Sequence, residues 1–428
     1  MTDPLRLGIA GLGTVGVGVV RIVQRQANLL SRRCGRPVEI TAVSARSRDR
    51  DRGVGLSHYA WEDDPVTLAR RPDIDVFVEL MGGSDGPARA ATEAAIAAGK
   101  DVVTANKAML ALHGQALAEA AEGAGGVLRF EAAVAGGIPV IKALTEGLAG
   151  NVIDRVMGVM NGTCNYILTR MDDAGLTYEE AFAEADALGY LEADPELDVG
   201  GIDAAHKLTL LAAIAYGTKP HFETITREGI GSITIEDIRR AGDMGYKIKL
   251  LGVAQMTGRG LEQRMSPCLV PAASPLGQLE GGTNMVVIEG DSVGQIVLRG
   301  AGAGEGPTAS AVMSDVCDIA RGIRLSTFGQ PAAALDDAPP ASAASPARYY
   351  LRMELADKPG ALAKVATALG EAGVSIDRMR QYDHPGDNAP VLIVTHKAAR
   401  PDLDTALGAL PATGVLVGDP VALRIEDV

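Results

Sequence analysis

The sequence predicts an α/β protein in three parts: a parallel-sheet domain at the N-terminal end, an α+β middle, and a small βαββαβ unit at the C-terminal end. Three observations lead there. Short apolar strands alternate with helical stretches from Leu5 to Phe130. A glycine-punctuated turn stands between the first strand and the first helix. A Pro-, Ala- and Ser-rich segment, Pro331–Pro346, divides the C-terminal part from the rest. A chain of 428 residues has room for roughly two or three domains.

Composition narrows the class. The apolar mass is Ala, Val, Leu and Ile with few aromatics, which suits tight helix-on-sheet packing. A formal charge of −14 argues against nucleic acid or an anionic membrane surface as partner. It leaves an anionic cofactor open, because backbone N–H groups bind phosphate locally. Cys34, Cys164, Cys268 and Cys317 are scattered without a CxxC pair, so neither disulfides nor a zinc site are expected, and a reducing cytoplasm is the natural compartment. A strand begins almost at once, at Leu5, with no signal peptide ahead of it and no apolar run of membrane-spanning length.

The first strand, Leu5–Ala10, runs into Gly11-Leu12-Gly13-Thr14-Val15-Gly16, and a helix is expected over Val17–Leu30. This is GxGxxG between strand and helix, the setting of a Rossmann-type dinucleotide site. The first glycine makes the turn, the second lets backbone approach a pyrophosphate, and the third lets helix and strand pack. The helix N-terminus adds N–H groups and a favourable dipole. The second strand, Val38–Ser44, leads to Arg46 and Arg48 with no acid before Asp49. Guanidinium groups suit a 2′-phosphate, so NADP(H) is expected over NAD(H).

Further strands are expected at Asp75–Leu80, Asp101–Thr104 and Val127–Phe130, with helices at Gly86–Ala98 and Ala111–Glu122 between them. Ligands collect at strand ends in such sheets. Met81–Ser84 ends one strand and Thr104–Lys107 another, which puts Ser84, Thr104 and a loop lysine, Lys107, near the nicotinamide end.

Residues 131–139 leave the sheet through a glycine-rich loop with one carboxylate, Glu131. Its oxygens can hold a hard monovalent cation, although a plain hinge explains the composition as well. A helical stretch, Val140–Leu148, is followed by a strand, Val152–Met160, which ends in Asn161–Tyr166, small hydrogen-bonding side chains able to orient a polar substrate. Cys164 reads as a packed cysteine, since no histidine is near it in sequence. Thr177–Glu180 has capping-box spacing for a helix continuing over Ala181–Leu188. Gly189–Lys207 then gathers Glu192, Asp194, Glu196, Asp198 and Asp203 ahead of Lys207. Asp203 and Lys207 are four apart on a helix expected over Ile202–Ala215, so they share a face, and the dipole favours an acid in the first turn. His206 faces elsewhere and reads as structural or solvated.

GLGTVG, TANK, GVMNGTCNYIL, GYLEADPELDVGGIDAAHK and GAGAGEGPTASAV (Gly300–Val312) occur in this order. Together they resemble homoserine dehydrogenase without a fused aspartokinase, from the first strand to about residue 325. The resemblance implies reversible NAD(P)H-dependent reduction of L-aspartate 4-semialdehyde to L-homoserine. It puts Lys207 and Asp203 at the reacting oxygen and Lys107 between substrate and nicotinamide. It puts Glu192 on the substrate ammonium, with Tyr190, Gly162, Thr163 and Asp198 lining the pocket. A monovalent cation, sodium or potassium, would fall on Glu131, Val134, Gly136 and Ile138, mostly through carbonyls. Gly304 would touch the cofactor, and a helix from about Thr308 to Arg321 would rejoin the first domain. The domains are then 1–130 plus about 306–330 for the cofactor and 131–305 for catalysis and oligomerisation, then a linker over 331–347.

Residues 348–428 follow the order βαββαβ, and DKPGALAKVATALGEAGVSI (Asp357–Ile376) resembles an ACT domain, an amino-acid-sensing module. The turn before its first helix would offer N–H groups to an effector carboxylate, and the family link suggests threonine. A ligand-free dimerisation module is the competing reading. The expected assembly is a homodimer or homotetramer. Two rivals to the enzyme reading remain: another amino-acid semialdehyde or keto-acid reductase, and a silent sensor of dinucleotide and amino acid. The acid–lysine grouping argues against the sensor.

Overall fold

In the computed structural model, which describes residues 3–191, 194–382 and 386–428, the N-terminal part of the chain, Leu5 to Arg129, winds a six-stranded sheet. Its elements are β1 (Leu5–Ala10), α1 (Thr14–Cys34), β2 (Val38–Ser44), β3 (Ala60–Glu62), α2 (Pro65–Ala69), β4 (Val76–Glu79), α3 (Pro87–Ala97), β5 (Asp101–Thr104), α4 (Lys107–Gly123) and β6 (Leu128–Arg129). The strands lie in the order β3-β2-β1-β4-β5-β6, every pair parallel. The order reverses between β1 and β4, so the connections leaving those two strands diverge and open a crevice at their C-terminal ends. The strands are near-continuous apolar runs because both faces are covered.

Two boundaries differ from expectation, each for a local reason. Helix α1 starts at Thr14 and reaches Cys34, where Gly35 in a left-handed conformation stops it. Helix α4 starts at Lys107, not Ala111, because the Asn106 side chain caps it by accepting the Met109 N–H at 3.1 Å. Lys107 is therefore the first residue of a helix and not a loop lysine.

The middle of the chain comprises α5 (Val140–Lys142), continued by a π-turn over Ala143–Gly147, then β7 (Ile153–Val159), α6 (Gly162–Ala174), α7 (Tyr178–Ala187), α8 (Glu196–Val199) and α9 (Ile202–Tyr216). The expected helix over Val140–Leu148 is thus an α-turn followed by a π-turn. The Thr177–Glu180 capping box forms as anticipated. Residues 217–299, for which the sequence suggested no elements, hold β8 (Thr226–Arg227), α10 (Ile235–Asp243), β9 (Tyr246–Thr257), β10 (Gly260–Pro271), β11 (Thr283–Gly290) and most of β12 (Gly294–Ala301). Helix α11 (Glu305–Ala320) returns to pack on α1, where a Cβ on Gly18 would lie 2.8 Å from the Glu305 carbonyl oxygen.

The C-terminal part is β13 (Arg348–Ala356), α12 (Ala361–Glu371), β14 (Ile376–Gln381), β15 (Asn388–Thr395), α13 (Arg400–Ala409) and β16 (Leu416–Ile425), the expected βαββαβ order. It is not a separate sheet. The strands run β12-β11-β7-β9-β10-β16-β13-β15-β14, with β16 paired to β10 through Cys268–Arg424 and Leu269–Ile425. Arg352 on β13 also grips Asp237 of the α10 cap at 2.5 Å. The Pro/Ala/Ser-rich segment is strapped down as well: Ala332 N–H bonds to Glu122 at 2.8 Å, Ala341 N–H to the Leu261 carbonyl at 2.9 Å, and Ser345 N–H to Glu262 at 2.9 Å. A composition that suggests a free tether is here a fixed connector.

Candidate active site

The crevice of the parallel sheet faces the α6, α8 and α9 side of the middle domain across a cavity of about 530 Å³. On the sheet side, the three glycines of the first turn have separate steric roles. Gly11 has φ +100°, and a Cβ on it would lie 2.4 Å from the Leu80 carbonyl oxygen. A Cβ on Gly16 would meet the Gly11 carbonyl oxygen at 1.9 Å. At Gly13 a Cβ would meet none of the described residues within 4 Å, so that backbone is open to an approaching group. Gly13 is also the N-cap of α1 and Gly304 that of α11, neither helix having a side-chain cap. Two helix N-termini thus offer uncapped N–H groups near one cavity, whose lining includes Val15 and Gly304. Leu12 is buried and Thr14 exposed.

Around that turn, Arg46 and Arg48 are exposed just beyond the end of β2. The Ser84 hydroxyl donates to Asp85 at 2.9 Å. The Thr104 hydroxyl donates inward to buried Glu79 at 2.6 Å, and Glu79 also accepts the Met81 N–H at 2.7 Å. Glu79 thereby ties the ends of β4 and β5 together.

The charged centre is built from two helices. Asp203, in the first turn of α9, accepts from Lys207 Nζ at 2.6 Å, and its other oxygen is 3.0 Å from Lys107 Nζ. A lysine in the first turn of α4 opposes the helix dipole; the aspartate it meets across the cleft compensates. Lys207 Nζ also donates to the Met160 carbonyl at 2.7 Å. Burial alone would raise the Asp203 carboxyl, but the charges and hydrogen bonds of Lys207 and Lys107 outweigh it and hold the group well below the usual carboxylate range. Asn161 completes the grouping. Its amide donates to Asp198 at 2.8 Å and to Asp203 at 3.2 Å, while its carbonyl accepts the Cys164 N–H at 2.8 Å as the cap of α6.

Gly162, Thr163, Tyr190 and Asp198 line the same cavity. Thr163 donates to the Tyr190 carbonyl at 2.9 Å, and the Tyr190 ring stacks on Tyr166 at 4.7 Å. Asp194 and Glu196 are exposed. Glu192, the residue expected at the substrate ammonium, lies outside the described residues. His206 is buried and stacks on Phe222 at 4.3 Å; burial lowers its pKa to about 4, so it is a neutral packing residue. Cys164 donates its thiol to the Asp198 carbonyl at 3.3 Å, and burial, then the nearby Asp198 and Asp203, push that thiol far above its ordinary value. It is no nucleophile. Asn284 also borders the cavity, and its side-chain oxygen has no partner among the described residues. No motif pointed to it; it is an ordinary strand residue until the fold brings it there.

Glu131 is buried and accepts the N–H groups of Ile141 and Lys142 at 3.0 and 2.9 Å. Burial, then the neighbouring Asp315, raises its pKa to about 7. Ala135 and Gly136 follow with φ of 55° and 53°, both in the left-handed region. An all-oxygen donor set of one buried carboxylate and carbonyls fits a hard cation, whose charge would keep Glu131 ionised.

Among the described residues the cavity holds no group poised for covalent attack. It offers two ammonium groups able to stabilise a developing oxyanion, beside uncapped helix ends suited to a pyrophosphate. Fold and site together define a dinucleotide-dependent oxidoreductase that works on a small polar carbonyl or alcohol. Comparison with known proteins specifies it further. Residues 139–317 match the family described as Homoserine dehydrogenase, residues 11–131 its NAD binding domain, and residues 349–411 the ACT domain. A homoserine dehydrogenase of Pseudomonas aeruginosa is 42% identical over 435 residues, covering 99% of each chain. The crystal structure of a homoserine dehydrogenase from Thiobacillus denitrificans superposes with a TM-score of 0.94 at 40% identity, covering 99% of each chain. A hyperthermophilic archaeal homoserine dehydrogenase, solved in complex with NADPH, aligns with a TM-score of 0.62 at 27% identity, covering 74% of this chain and 97% of that one. The chain belongs to the homoserine dehydrogenase family.

Proposed function

We propose that the chain interconverts L-aspartate 4-semialdehyde and L-homoserine, with Lys107, Asp203 and Lys207 at the reacting oxygen and NADPH preferred over NADH. The observation that carries this reading is the sharing of one buried carboxylate by two lysines at the mouth of the dinucleotide crevice.

Bound NADPH supplies the hydride. The protein deals with the charge that results. An aldehyde carbon that gains a hydride leaves negative charge on its oxygen, and an ammonium at that point stabilises the charge and delivers the proton. Asp203, held ionised by its two cationic neighbours, cannot be that proton's source. It fixes both ammonium groups, so a lysine is the donor. Asn161 keeps Asp203 from turning away. Asp198, Tyr190, Gly162 and Thr163 form the wall for a small substrate, and Glu192 takes its ammonium group. A monovalent cation at Glu131, Val134, Gly136 and Ile138 braces the loop that leaves the cofactor domain.

The preference for NADPH rests on Arg46 and Arg48 at the end of β2, where a 2′-phosphate falls in this fold, and on the NADPH complex of the archaeal relative. The C-terminal domain takes an amino-acid effector, threonine being the first to try, and the protein works as a homodimer or homotetramer. Four free thiols suit a reducing cytoplasm.

The test is the absorbance of reduced nicotinamide with homoserine and either NADP or NAD, for wild type and Lys207→Ala. We expect kcat to fall by about 10²- to 10⁴-fold in the variant, with NADPH affinity held within about twofold. A variant that keeps most of its turnover removes Lys207 from the chemistry.

A further inference from the structure

One side chain in the wall of the catalytic cavity has its hydrogen bonding incomplete. Asn284 is 1% exposed, and its side-chain oxygen has no partner. Among the described residues it is the only buried side chain with an unpartnered polar atom that borders this cavity. A buried acceptor without a donor costs free energy and is rare in folded proteins. A ligand that supplies the donor accounts for it.

The fold holds this amide in place. Asn284 lies near the start of β11, on a rung with Gly300 of β12 and next to the rung of Met285 with Val159 of β7. Its amide packs against Gly302: a Cβ there would lie 2.0 Å from Asn284 Nδ2 and 2.5 Å from Oδ1. Gly302 is not in the left-handed region. What a side chain at 302 would take away is therefore the room for the Asn284 amide.

The position along the crevice narrows the ligand. On one side Gly302 leads to Gly304, the N-cap of α11 and one of the two helix ends suited to the pyrophosphate. On the other, Met160 follows the Val159 rung, and its carbonyl takes Lys207 Nζ at 2.7 Å. Asn284 thus stands between the pyrophosphate end and the ammonium groups at the reacting oxygen. The part of a dinucleotide that spans those two points is the nicotinamide ring.

The charges select the group. The charged side chains of the cavity, Lys107, Asp198, Asp203 and Lys207, come from α4, α8 and α9. The wall beside Asn284 is Ala301, Gly302 and Ala303, which carry no charge. An ammonium or carboxylate placed there would lose more hydration than one neutral amide returns. A primary carboxamide is neutral and, like the asparagine amide, both donates and accepts, so two such groups satisfy each other.

We propose that Asn284 holds the carboxamide of the nicotinamide, its side-chain oxygen accepting a carboxamide N–H and its side-chain nitrogen donating to the carboxamide oxygen. The contact fixes which way the ring faces the substrate. This rests on the dinucleotide-dependent reaction proposed above and names the residue that orients the reactive end of the cofactor.

The test is calorimetric titration of the full-length protein with NADP and with its acetylpyridine analogue, in which a methyl ketone replaces the carboxamide and no N–H remains. Wild type is expected to bind NADP about tenfold or more tightly than the analogue. In Asn284→Ala and Asn284→Leu the two ligands are expected to bind within about twofold of each other, because NADP alone loses a partner. The KM for homoserine is expected to stay within about twofold of wild type. The leucine variant replaces an unsatisfied buried amide by an apolar group of similar volume, so it folds even where alanine leaves a damaging cavity. Discrimination between the dinucleotides that is the same in wild type and in a folded variant overturns the proposal, as does a wild type that does not discriminate. A KM for homoserine that rises while NADP affinity is unchanged gives Asn284 to the substrate and overturns it too. A wild type that follows the expected binding pattern but turns over no homoserine overturns the proposed reaction and leaves the cofactor contact standing.

Discussion

Lys207 Nζ sits 2.6 Å from an oxygen of Asp203, one helical turn away on α9, while Lys107 approaches the other oxygen of the same carboxylate from a different domain. One buried acid therefore holds two lysines across the domain boundary. Asp203→Asn removes the charge that both lysines share and keeps the shape. We expect kcat to fall by roughly 10²- to 10³-fold and unfolding free energy at pH 7 to fall by roughly 3–5 kcal/mol, as for other broken buried pairs. The sign with pH follows from the depressed folded-state pKa. The stabilisation is fully present above the unfolded carboxylate value of about 4 and is lost as pH falls through the folded value. The gap between urea titrations of wild type and variant must begin to narrow as pH falls below about 4; a gap that stays constant into acid rules the ion pairs out as its cause.

Asn161 bridges Asp198 and Asp203 and caps α6 in the same position. Asn161→Ala should cost about 1–2 kcal/mol as a lost cap. Asn161→Ser restores an N-cap without the reach to two carboxylates. If positioning matters separately, the serine variant regains stability but its kcat stays about tenfold low or worse. Recovery of both together would reduce Asn161 to a cap.

His206 titrates in the fold at about 4, against an ordinary value of 6.5. The unfolded chain takes up the proton first, so stability is complete above about pH 6.5 and declines as pH falls towards 4, by on the order of 3 kcal/mol in all. His206→Phe keeps an aromatic ring against Phe222 and has no proton to take. Its melting temperature should fall less than that of wild type between pH 6.5 and 4.5, read by calorimetry; parallel slopes would clear His206 of any part in acid sensitivity.

The glycines of the first turn separate in the same way. Gly16→Ala forces a Cβ to 1.9 Å from the Gly11 carbonyl oxygen and should destabilise the cofactor domain outright. Gly13→Ala meets no atom of the described residues within 4 Å, so the fold should tolerate it. The new methyl instead occupies the approach to the backbone, and NADPH dissociation constants should rise about tenfold or more. Unchanged NADPH affinity in a folded Gly13→Ala protein would place the pyrophosphate elsewhere.

Much of this was legible in the residues, and the parts that were not share a cause. The strand–turn–helix opening, the Thr177–Glu180 capping box and the Asp203–Lys207 pair are contacts within a few positions of each other, governed by glycine sterics, cap geometry and the helical repeat. Strand β10 went unread because its buried Glu262, Gln263 and Arg264 look like a solvated segment, and β9 because it is buried on both faces along much of its length. Alternation then vanishes, and an apolar run looks the same in a strand as in a buried helix. The connector was read by composition, which reports what a segment lacks for a core of its own but not whether another surface will hold it.

By itself the sequence determined the order of most elements in the cofactor and C-terminal domains, the dinucleotide turn and the Asp203–Lys207 half of the charged grouping. Only the tertiary structure decided that Lys107 meets Asp203, that Asn161 reaches two carboxylates, and that the C-terminal domain joins the sheet of the middle domain through β16. The reason is physical. Local geometry follows from torsional and steric preferences written into a few neighbouring residues. Which distant surfaces meet depends on the packing of whole elements, and no single stretch of the chain carries that information.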